Sequence, residues 1–325
     1  TVIIFAIATA LMAFANNIYL IYALRFLAGI GAGGEYGVGI ALIAENFRKE
    51  QIGKMTSVAA IGGQIGAILA ALIAAWIIPA AGWHMLFLIG ILPVILTIFI
   101  RKHVHESEQF IKAQASESNS LLSDVAKKMF STPHLAWQTV GLMIMMTVQI
   151  AGYFGLMNWL PTIVQKQLNL NVSNSSLWMI STIIGMSIGM MTFGSIFDYF
   201  GPRRAFAIFL IGSALMVYTL SLAQNMAMLL IIGAVVGFFS NGMFGGYGAV
   251  ISRLYPTEIR SSANNIIVNV GRAIGGFSSV VIGILMDKYN LGVVMGFLSA
   301  LYLLSFVVMI TLPSLKTLTK EAKRN

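Results

Sequence analysis

Long apolar runs, broken by short polar punctuation, carry nearly the whole chain. They fall at 1–14, 18–46, 54–78, 84–101, 137–160, 177–197, 205–222, 226–251, 262–286 and 291–313. Most approach about 20 residues, the length at which an α-helix crosses a hydrocarbon layer of roughly 30 Å. None shows the apolar–polar alternation of a membrane barrel strand. The pattern predicts an all-α polytopic membrane protein with ten crossings, four before a polar stretch and six after it. The expected division is a first unit at 1–101, a surface linker at 102–136, a second unit at 137–313 and a tail at 314–325. Within the linker, Phe110, Ile111, Leu121, Leu122, Val125, Met129 and Phe130 are placed to form short helices lying along the membrane surface.

Composition agrees: 58% of residues are hydrophobic and 10% charged, which excludes an ordinary soluble enzyme. The net charge of +9 raises nucleic acid as a partner, and the placement of the charges removes it. Following the loops alternately across the membrane puts sixteen of the 20 basic residues on one side, dispersed over five loops from Arg48 to Arg324. Only Lys166 and Lys288 fall on the other, with Arg25 and Arg272 inside crossings. The basic side is the expected cytoplasm, with the C-terminus on it. With no cysteine there is no disulfide framework or thiolate metal site. His103, His105 and Glu106 have metal-like spacing but no fourth ligand nearby, so no metal and no cofactor are expected. No nucleophile–base set or phosphate loop is visible, which argues against an enzyme.

An offset of 208 lays the second and third crossings on the eighth and ninth. Gly29 then meets Gly237, Gly34 meets Gly242, Gly37 meets Gly245, Glu50 meets Glu258 and Gln64 meets Arg272. A duplicated unit is implied. The fifth crossing has no counterpart at that offset, so about 70 residues forming two further crossings are expected ahead of Thr1.

Several polar residues sit within apolar runs. Arg25 and Glu35 share the second crossing with a run of glycines that lets helices approach closely. Ten residues of helix place Glu35 about 15 Å deeper than Arg25, near mid-membrane. A lone carboxylate there must be neutralised, paired or hydrated, so it carries either a coupling role or a structural hydrogen bond. Asn265, Asn269 and Arg272 are spaced by four and three and share one helical face. Arg272 needs an anion, carbonyls or water; it either fixes a neighbouring helix end or receives a solute's negative group. Gln64, Gln149, Tyr153, Asn158, Asn241 and Tyr247 are further polar candidates at membrane depth.

The stretch from Gly194 through Asp198 and Gly201 to Arg203 and Arg204 resembles the loop signature of the major facilitator superfamily. Arg25 to Gly33 is similar to its R-xxx-G-x-G-x-G signature. Tyr199 and Pro202 depart from the loop pattern by replacing basic residues. Ala44-Glu45, the run His105 to Phe110, and Tyr255-Pro-Thr-Glu258-Ile-Arg260 resemble stretches of its sugar-porter and metabolite:proton symporter branches. The Gly-Gly-Glu-Tyr run at 33–36 resembles the carboxylate and sialate symporters.

The resemblance implies a major-facilitator fold with ten of twelve helices present. It implies a secondary transporter that takes up a small organic anion with protons by alternating access. A sugar or polyol symporter is the alternative, and a non-transporting membrane receptor or structural fragment the alternative of another class. Glu35 and Arg25 are implied in proton coupling. Arg272, Gln64, Gln149, Tyr153, Asn158, Asn241, Asn265 and Asn269 are implied in solute binding. Glu45, Arg48, Asp198, Arg203, Arg204, Glu258 and Arg260 are implied in a cytosolic gate. The partners are then the solute, protons and the lipid bilayer, for a monomer in a bacterial plasma membrane.

Overall fold

The computed structural model describes residues 2–92, 122–159 and 172–321. Residues 93–101 of the fourth expected crossing, most of the polar linker, and the His103–His105–Glu106 group lie outside the described residues. Everything with regular structure among the described residues is helical. Eight helices are long and apolar enough to cross a membrane, while Ile3–Phe14 and Ala80–Ile89 are apolar but shorter. Length therefore supports eight crossings among the described residues, not the ten expected.

Helices α1 (Val2–Leu11), α2 (Ile18–Gly33), α3 (Glu35–Asn46) and α4 (Ile52–Ile89) make the first half. A short α5 (Leu122–Met129) leads to α6 (Pro133–Phe154), α7 (Val172–Phe200), α8 (Pro202–Thr219) and α9 (Met226–Gly242). The second half continues with α10 (Phe244–Leu254), α11 (Thr257–Gly275), α12 (Ser278–Lys288), α13 (Leu291–Thr311) and a closing α14 (Pro313–Glu321).

Local chemistry starts these helices where the apolar runs begin. Asn17 accepts from the Tyr19 amide (2.9 Å), Asn225 from Met228 (2.9 Å) and Asn290 from Val293 (3.1 Å), each satisfying an orphan donor of the first turn. Thr132 does the same for α6, followed by Pro133 at the first helical position. Changing Asn225 to Ala is expected to cost about 1 kcal/mol, a fall of a few degrees in melting temperature measurable in detergent.

The duplication is visible in these boundaries. Helices α2 and α9 start 208 residues apart on matching asparagine caps, and α3 and α10 end at the same offset. Both crossings are interrupted midway, at Gly34 (φ −92°, ψ −8°) and at Met243 (φ −79°, ψ −4°).

The larger core lies in the second half, where Phe193 packs edge-on against Phe206 (5.0 Å) and Phe209 (5.1 Å). Met145, Met146, Tyr247 and Tyr302 are fully buried in the same half. The first half has a smaller cluster around Met12, Leu24 and Ala28. Outward residues such as Trp76, Ile231 and Val307 are apolar and exposed, as a lipid-facing surface requires. Helix α5 turns Val125 and Met129 into the base of the second half and leaves Lys127 outside beside Asp124 (3.6 Å).

The halves join through α3 against α10 and α11, and through α4 against α7 and α10. These contacts lie toward the helix ends near Arg48, Lys54, Arg203 and Arg253, here called the basic end.

Candidate functional site

Two polar features of the seam between halves arise from elements the sequence marks clearly. The first is Asp198, near the end of α7. Its Oδ1 accepts from the Gly53 amide (2.9 Å) and its Oδ2 from the Lys54 amide (2.8 Å). These are orphan donors in the first turn of α4, in the other half of the molecule, where the helix dipole also favours a negative charge. The Arg253 guanidinium completes the group, 3.1 Å from Asp198 Oδ1 and 4.9 Å from the Phe197 ring centre. Asp198 and Arg253 are only 12% and 13% exposed in their side chains, so this pair is largely removed from water. Gly53 permits the approach: a Cβ there would lie 2.7 Å from Asp198 Oδ1.

In the motif at 194–204 Asp198 has Arg203 and Arg204 as its nearest basic residues in sequence. It turns to Arg253 and α4 instead, because the single-residue turn at Gly201 (φ 86°) starts α8 at once in another direction. Arg203 donates to the Ile310 carbonyl (3.2 Å) at the end of α13, and Arg204 is exposed. Arg253 was missed in reading the sequence. Its repeat mate is Glu45, and that opposition of charge at equivalent positions was the available signal. Glu45 is half-buried on α3, and together with Glu258 it lies in the electrostatic field of Arg260 on α11. Glu258 is exposed in the first turn of α11, and Arg48 is exposed between α3 and α4.

The second feature is the break in the first half. Glu35 is the first residue of α3, directly past Gly34. Asn265 Oδ1 accepts from the Gly37 amide (2.7 Å), and its Nδ2 donates to the Gly34 carbonyl (3.2 Å). One turn on, Asn269 Nδ2 donates to the Gly33 carbonyl (2.7 Å). Both asparagines are thus engaged with backbone across the seam. Arg272, next on the same face, is half-buried and within electrostatic reach of the Tyr36 phenol.

The other candidates divide. Gln149 and Asn241 are buried and bonded to each other (2.9 Å), with Gln149 Nε2 also donating to the Ser240 carbonyl (3.0 Å). Tyr247 is fully buried and donates to the Met145 carbonyl (3.1 Å). Gln64 is half-buried on α4, and Tyr153 is half-buried near the end of α6. Asn158 lies in the π-helical turn Gly155–Trp159 that follows. Arg25 is exposed on α2 with its guanidinium 5.8 Å from the Phe87 ring centre. No group of three or more His, Cys, Asp or Glu able to hold a metal occurs among the described residues.

The family model described as Major Facilitator Superfamily matches residues 1–191 and 166–325. A Haemophilus influenzae protein named for metabolite transport is 36% identical over 321 residues, spanning 97% of this chain and 79% of that protein. The cis,cis-muconate transport protein of Acinetobacter baylyi is 25% identical over 321 residues, spanning 95% of this chain and 75% of that one. The solved proton:xylose symporter XylE aligns with a TM-score of 0.74 at 17% identity, over 96% of this chain and 78% of that chain. At that identity the likeness is one of fold.

Proposed function

The chain belongs to the Major Facilitator Superfamily, a family of membrane transporters and not of enzymes, and we propose that it takes up a small organic anion of the carboxylate type together with protons. The observation that carries alternating access is the seam at the basic end. A carboxylate seated on the first turn of a helix from the opposite half is a contact that rocking of the halves breaks and remakes. The positive-inside rule makes that end cytoplasmic. In this reading the closed end faces the cytosol, with α14 on that side of a plasma membrane. The working unit in this reading is a monomer.

Interrupted helices at equivalent positions of two repeats mark the mid-membrane binding region in such folds. Glu35 begins the lower segment of one of them and takes the proton in this reading, with Arg25 on the same crossing as its cationic complement. Arg272 engages the carboxylate, with Gln64, Tyr153 and Asn158 as neutral partners. Gln149 and Asn241 support the second break from behind. An anionic solute accords with the relative named for muconate, a carboxylate. Glu35→Gln in the carrier is expected to abolish proton-driven accumulation in proteoliposomes while solute exchange continues. Accumulation at the wild-type level would reject the coupling role.

A further inference from the structure

The two helix breaks are equivalent by repeat, yet they are supported differently. At the second break, around Ser240 to Met243, the supporting side chain is Gln149 of α6, from the same half. At the first break, around Gly33 to Gly37, it is Asn265 and Asn269 of α11, from the opposite half. Rigid rocking of the halves preserves the first kind of support and disrupts the second.

Asparagine suits the second kind because its amide both donates and accepts. Asn265 uses both ends on one short segment, gripping Gly34 and Gly37 and so straddling Glu35. The grip needs glycine below it: a Cβ on Gly37 would meet the Ser261 carbonyl and the Asn265 amide. When the basic end opens, the Gly33 and Gly34 carbonyls and the Gly37 amide exchange these partners for water. The local setting of Glu35 therefore differs between the closed and open states by a defined set of hydrogen bonds.

We infer that Asn265 and Asn269 are positioning residues, a clamp from the second half that closes on the helix break of the first half and ties the placement of Glu35 to closure of the basic end. This assigns them a role other than solute binding, and it rests on the coupling role proposed for Glu35. The clamp itself makes a separate, measurable claim about closure.

The test uses the full-length carrier in proteoliposomes with a reporter cysteine at Ile40, a buried α3 residue beneath Gly248. The described chain contains no cysteine to interfere. Asn265→Ala is expected to raise the rate of Ile40→Cys labelling from the basic side about tenfold. It should also lower the proton-driven accumulation ratio about tenfold. A tenfold change corresponds to about 1.4 kcal/mol, the order expected for one or two hydrogen bonds. Asn269→Ala, which removes one bond, should show the same pattern at smaller amplitude and serves if the first variant does not insert. Unchanged labelling in both overturns the clamp. Raised labelling with full accumulation overturns the positioning role. Wild-type accumulation by Glu35→Gln, measured alongside, overturns the coupling reading and leaves the labelling result to judge the clamp.

Discussion

Asp198→Ala is expected to shift the carrier out of the state closed at the basic end by about 100-fold and to reduce net uptake accordingly. The reasoning starts from what the carboxylate holds. It accepts from two amides in the first turn of α4 and from Arg253, in a setting nearly closed to water. Removing it leaves a largely buried guanidinium without that charge partner and two helix donors without an acceptor, a loss of about 3 kcal/mol. At 1.4 kcal/mol per decade that is roughly two decades in the equilibrium between closed and open forms. The second half should still fold, because its core around Phe193, Phe206 and Phe209 does not depend on the carboxylate. Labelling of Ile40→Cys from the basic side, with uptake measured in parallel, is the direct check. Uptake at the wild-type rate would show that the seam is not a gate.

Gly37→Ala is expected to eliminate uptake while leaving the melting temperature unchanged or slightly higher. Alanine is the better helix former by about 1 kcal/mol, so α3 alone is stabilised. The added methyl, however, would lie against the Ser261 carbonyl and the Asn265 amide of α11. The carbonyl belongs to helix backbone and cannot move aside as a flexible side chain would. The halves then cannot close at the basic end, and the cycle stops in the open form. A carrier that melts as well as wild type and transports as fast would refute this close packing.

Much of this was legible before any coordinates. Apolar run length marked the helical segments, eight of which among the described residues are long enough to cross a membrane. The repeat offset anticipated the paired boundaries of α2–α3 and α9–α10. Local properties such as these depend on residues near one another in sequence. The identity of Asp198 as a seam residue was also readable, since an acidic group beside a glycine turn at a helix end has few other uses. Its partners were not: the sequence neighbours Arg203 and Arg204 looked sufficient, while Arg253 and the α4 amides are distant in the chain.

The asparagines of α11 teach the same point from the other direction. Spacing alone placed Asn265, Asn269 and Arg272 on one face, and a polar face inside a membrane invites a solute. Only the packing of α11 on α3 revealed that two of the three meet backbone freed by a helix break. Sequence by itself thus determined the helical class, the duplication and the family. These follow from hydrophobicity and helical period, which are summed along the chain. Tertiary structure alone decided which polar atom meets which. A backbone amide or carbonyl is present at every residue, and only the approach of two halves selects those that pair.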